Sequence, residues 1–132
     1  METLKIQLTN IFVLEEELTK LLNEKISLST KFWLLELNKQ VQEIKPIIES
    51  LRDELIKTYG TPNADGNIII PYYIDTKKEI INPKFEQFQQ EFSTLLTQEK
   101  ELQYKPIPFS VLEKIETEES YIFILQNLIE KQ

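Results

Sequence analysis

Leu34, Leu37, Val41, Ile44, Ile48, Leu51 and Leu55 follow one another at intervals of three and four residues, the spacing of one apolar stripe along an α-helix. Such a stripe leaves little choice of fold. Residues 30–59 are expected to form one long helix, and something must cover its apolar side. Ser29 and Thr30 offer oxygens for its N-cap, and Gly60 after Tyr59 supplies a C-terminal stop. Pro46 removes one backbone donor and crowds the carbonyl of Gln42, but the apolar phase runs through it, which predicts a kink and not two helices. Trp33, beside the stripe, is either a core anchor or an exposed binding residue.

Two more helices are read from the same spacing. Leu4, Leu8, Ile11, Leu14, Leu18, Leu21 and Leu22 place one over residues 3–23. Its Glu15, Glu16 and Glu17 point in directions about 100° apart, so they cannot share one ion, and they read as a solvated face. Asn82 as N-cap with Pro83 behind it opens another helix, along which Phe85, Phe88, Phe92, Leu95 and Leu102 form a seam. Pro106 and Pro108 hold "QYKPIPFS" extended. Ser110 and Glu113 match a capping box for a short helix, and Thr117, followed by Glu118 and Glu119, starts a last one. That last segment, "SYIFILQNLIEK", is apolar around much of its circumference and is expected to be buried or to be an interface.

"NADGNIIIPYYIDTKKEIINP" (63–83) breaks the helical pattern. As a calcium loop with Gly66 at its sixth position it would carry Thr61 first and Tyr72 twelfth, so the bidentate carboxylate is missing. A β-hairpin fits better: a turn at 64–67, a strand from Ile68 to Ile74, a polar turn at 75–78 and a returning strand at 79–81. Both faces of the first strand are largely apolar, and Pro71 makes it an edge. Such a hairpin must lie on its own helices or meet another chain.

The 132 residues contain no histidine and no cysteine, which removes Ser-His-Asp and Cys-His catalysis, Cys/His zinc sites and thiol redox chemistry. The two glycines, Gly60 and Gly66, belong to no phosphate-cradling motif. A net charge of −7, with lysines scattered among glutamates, opposes direct nucleic-acid binding. An apolar fraction of 41% is enough to fold, while no apolar run reaches the length of a membrane span, and the N-terminus lacks a signal pattern. No cofactor and no metal are expected.

The order "IESLRDELIKTYG", "DGNIIIP" and "FEQFQQEFSTLLTQEKELQYKPIPFSVLEKIETEESYIFILQNLIEK" resembles a family of small helical proteins encoded by tailed bacteriophages, over residues 30–132. The resemblance implies a phage origin, agreeing with the scarcity of residues that have GC-rich codons. It implies a compact helical protein without assigned activity, and carries no site residues to this chain.

The expectation is a mainly α single domain, residues 1–132, a bundle of four or five helices with a β-hairpin insertion at about 67–81. The 34–55 stripe would pack on that of 85–102; a prefoldin-like pair of coiled helices joined by a hairpin is the alternative. The expected function is a non-enzymatic protein-binding module in the host cytoplasm or the virion, either a minor virion or assembly component or a binder of a host protein. An acidic inhibitor of a host defence or nucleic-acid enzyme is a second reading, and a carboxylate or metal-dependent enzyme a third. A homo-oligomer stays open. Candidate partner-binding residues are Ile69, Pro71, Tyr73, Trp33, Tyr121 and Ile124.

Overall fold

A computed structural model of the chain describes residues 1–115 and 120–130. Within them the protein is mainly α, with helices α1 (Ile11–Leu22), α2 (Leu28–Tyr59), α3 (Pro83–Leu96), α4 (Phe109–Glu113) and α5 (Ile122–Asn127). The strands are β1 (Glu2–Gln7), β2 (Thr61–Pro62), β3 (Ile68–Ile69), β4 (Tyr73–Asp75), β5 (Ile80–Ile81) and β6 (Glu99–Tyr104), and a 3-10 turn covers Leu8–Asn10. The chain divides into two compact units, one of residues 1–45 with 99–132 and the other of residues 46–98.

The first unit is closed by an antiparallel ladder between β1 and β6, running from Glu2 opposite Tyr104 to Gln7 opposite Glu99. Leu4, Ile6, Leu102 and Tyr104 face inward, and alternation puts their polar neighbours outside. The outer edge of β6 is completed by a side chain. Gln40 of α2 donates from Nε2 to the carbonyl of Gln103 at 2.7 Å and accepts its N–H at 2.9 Å, as a neighbouring strand would. Ile11, Leu14, Leu18 and Leu21 of α1 join Leu34, Leu37, Val41 and Ile44 of α2, with Ile107, Ile124 and Leu128, in the core. Ile107 is clipped on both sides, donating to Leu128 at 2.8 Å and accepting from Glu130 at 2.8 Å.

Several sequence expectations are corrected here. Residues 2–7 are a strand where a helix was expected from Thr3, because Leu4 and Ile6 satisfy a two-residue period as well as Leu4 and Leu8 satisfy a helical one. The third helix ends at Leu96, and Leu102 lies buried in β6. The N-cap oxygen of α2 comes from Ser27, which accepts the Thr30 N–H at 3.2 Å. Helix α4 starts at Phe109, leaving Ser110 inside it and not at its cap. The expected start of the last helix at Thr117 lies outside the described residues.

The second unit starts at Pro46, through which α2 runs unbroken. Gly60 then donates to Ile56 at 2.7 Å. A Cβ at Gly60 would collide with the Ile56 carbonyl and come within 2.7 Å of the Ile68 side chain and 2.8 Å of the Ile69 carbonyl. This close approach sets β2 against β3, around a turn in which Asn63 Oδ1 accepts from Asp65 and Asn67 and Gly66 adopts φ 82°. A separate ladder joins β4 to β5. Its turn is held by Asp75 Oδ1, which accepts from Lys77 at 3.0 Å and Lys78 at 3.2 Å, and it ends on Glu79 at φ 54°.

The expected continuous strand 68–74 is therefore split in two at Pro71. Proline has no N–H to give a ladder, and the neighbouring carbonyls are taken by Asn82, whose Nδ2 donates to Pro71 at 2.9 Å and whose N–H donates to Tyr72 at 2.8 Å. The Oδ1 of Asn82 caps α3 by accepting from Lys84 at 3.0 Å, as its sequence position before Pro83 predicts. Leu34, Leu37, Val41, Ile44 and Leu102 belong to the first unit. Of the expected seam between 34–55 and 85–102, only the part from Ile48 onward shares a unit with α3.

Candidate functional site

Ile69, Pro71 and Tyr73 all belong to the second unit, and all are exposed. They do not stand alone. Ile68, Tyr72, Ile74, Ile80 and Ile81 are exposed beside them in sequence, with Ile74 the most open at 63%. Large apolar side chains thus face water throughout a segment that also carries two short ladders, each two strands wide. The segment is tied to α3 by Asn82 and by an edge-on contact of Tyr72 with Phe85 at 4.9 Å. Phe85, Phe88 and Phe92 continue this row along α3, with Phe88 and Phe92 stacked at 5.8 Å.

A groove of 610 Å³ opens in the same unit between the end of α2 and α3. Leu51, Leu55 and Leu95 give it an apolar lining, with Glu54 and Glu91 among its polar residues. The Tyr59 hydroxyl hydrogen-bonds to the Glu91 carboxylate, and this bond holds the phenol above its ordinary range.

The other sequence candidates belong to the first unit. Trp33 is half-buried and lines a cavity of 280 Å³ with Lys105, Pro106 and Pro108, and the Lys105 ammonium stands 5.2 Å over its ring. Phe32 packs edge-on against the same ring at 4.9 Å. Tyr121 and Ile124 are buried at 7% and 0% exposure, so the terminal segment contributes these two side chains to the core of the first unit, while Ile122 and Leu125 of the same helix stay exposed.

Glu17 was missed by sequence reasoning. It is buried, 6% exposed, and its two carboxylate oxygens accept the N–H groups of Phe123 at 3.2 Å and Ile124 at 3.1 Å. Those are donors in the first turn of α5, which has no cap from its own Tyr121. Glu15 is also engaged, accepting from Lys45 at 2.9 Å and Gln42 at 2.7 Å. Burial pushes its carboxyl up, but the Lys45 and Gln42 bonds and the Lys45 charge outweigh this and hold it below the ordinary glutamate value. Only Glu16 keeps the solvated role, pairing with Lys20 one turn on at 3.2 Å.

Among the described residues no group of three or more acidic side chains gathers closely enough to hold a metal ion. No helix among them is long and apolar enough to cross a membrane. No protein-family model, curated protein or solved structure matches the chain.

Proposed function

We propose that the chain is a protein-binding module whose contact surface is the segment 68–81. The observation that carries this reading is the row of large apolar side chains that the segment leaves in water: Ile68, Ile69, Tyr72, Tyr73, Ile74, Ile80 and Ile81. Scattered exposed apolar residues are ordinary, but a concentration of them marks a surface meant to be covered. Isoleucine and tyrosine suit that role, because they give contact area at small cost in side-chain entropy. Two-stranded ladders of this length are also marginal in water and gain from a partner.

In the setting suggested by the phage resemblance, the module serves as a minor virion or assembly component or as a binder of a host protein. The test is quantitative mass spectrometry of proteins that co-purify with a tagged full-length chain, comparing wild type with the Ile69→Lys, Tyr73→Lys double variant. The expected result is a protein, which can be untagged chain, recovered by wild type and lost from the variant while helical circular dichroism is unchanged. Identical recovery by both would overturn the reading.

A further inference from the structure

We infer that the protein seated on the 68–81 surface is a second copy of this chain, so that the molecule is a symmetric dimer through its second unit. This inference rests on the reading of that surface as a protein contact. It is carried by how little the second unit buries by itself. Ile48 is its single buried apolar side chain, and α3, though amphipathic, buries none of its residues. Every other isoleucine, leucine, phenylalanine and tyrosine of residues 46–98 is half-buried or exposed. A unit of this size is marginal even with a full core.

The missing cover has the size of a subunit interface. The seven side chains from Ile68 to Ile81 are between 36% and 63% exposed, which leaves on the order of 600 Å² in water if a large side chain offers about 200 Å². Summed over the two ladders, that is close to the roughly 800 Å² each partner contributes to a standard interface.

Two arguments select a second copy over an unrelated protein. A unit without a core needs its cover whenever it is folded, and the partner present wherever the chain is made is the chain itself. The charges beside the patch also fit self-pairing. In a two-fold contact each residue meets the partner's equivalents reciprocally, so charges of a single sign would repel across it, whereas a surface that carries both signs can pair with itself. Asp75, Lys77, Lys78 and Glu79 at the tip of the second ladder supply both in equal number, although the whole chain carries −7.

The test is light scattering on the purified full-length chain from low to high micromolar concentration, joined to cross-linking in a protein that has no native cysteine. Wild type is expected at twice 15.7 kDa. The Ile69→Lys, Tyr73→Lys double variant is expected to dissociate roughly tenfold or more easily, as loss of central anchors should cause. Because that variant could fail to fold, Ile74→Cys and Ile122→Cys, comparably exposed at 63% and 61%, are oxidised in parallel. A disulfide-linked dimer from Ile74→Cys and not from Ile122→Cys supports the inference. Wild type at 15.7 kDa throughout, or preferential linkage through Ile122→Cys, overturns it. A monomeric wild type that still captures a different protein, lost with the double variant, would overturn self-pairing and leave the protein-contact reading standing.

Discussion

Glu15, Glu16 and Glu17 sit side by side in the sequence and do three different things: one pairs with Lys45 and Gln42, one faces solvent beside Lys20, and one caps α5 from inside the core. Replacing Glu17 by Ala strands two N–H groups at the start of α5, and hydrogen bonds to a charged acceptor are worth about 2 to 3 kcal/mol. We expect a loss of stability of that size, read from the urea midpoint, with Glu17→Gln intermediate because an amide oxygen replaces only one acceptor. For Glu15 the sign follows from its lowered carboxyl. Its stabilisation is complete above the unfolded value near 4.5 and disappears as pH falls through the lower folded value. Acid titrations of wild type should therefore lose stability below about pH 4.5, and Glu15→Gln should flatten that part of the curve. The 100° rule gave the three directions correctly from sequence alone. What lay in each direction was not legible, since Phe123 is 106 residues from Glu17 and no local pattern announces it.

At the level of elements, distant pairings were not legible, and local signals were read unevenly: the caps of α2 and α4 were misplaced. Asn82 followed by Pro83 located the start of α3 because a cap needs only its own next residues. The β1–β6 ladder escaped notice because Leu4 fits a two-residue period with Ile6 and a helical one with Leu8, and the partners of this strand lie across the whole chain. The apolar character of 68–74 was visible, but its division at Pro71 depended on Asn82 taking two carbonyls. Gly60 offers a sharp test of that arrangement. Gly60→Ala would force a methyl group into the Ile68 side chain and the Ile56 and Ile69 backbone, and should cost about 1 to 3 kcal/mol. Hydrogen exchange should report faster exchange at β2 and β3 with the first unit unchanged. Glu79 sits in the left-handed region at φ 54°, where a side chain costs about 1 kcal/mol. Glu79→Gly should therefore raise the thermal midpoint slightly, the gain being reduced by the greater freedom of glycine in the unfolded chain.

For the whole molecule, the contrast between the two units predicts unequal stability. Almost all buried apolar side chains belong to residues 1–45 and 99–130, while residues 46–98 own Ile48 alone. Amide exchange should be slow in the first unit at any concentration, and in the second should slow as protein concentration rises if copies cover each other. Concentration-independent exchange throughout would speak against that cover. The division also explains the limit of sequence reading: the long stripe on α2 is continuous, and nothing along it says that Leu34 to Ile44 and Ile48 to Leu55 belong to different units.

The pairing of Thr3 with Gln103, 100 residues apart, has a consequence for how the protein is made. A ribosome releases the first strand long before its neighbour exists. At about 5 to 20 residues per second, the interval is on the order of 5 to 20 s. During that time Leu4 and Ile6 have no ladder to join, and all of residues 46–98 emerge in between. The order of synthesis therefore gives the inserted segment its chance to form helix and turns before the surrounding unit can close, and makes β6 the piece that completes the first unit's sheet.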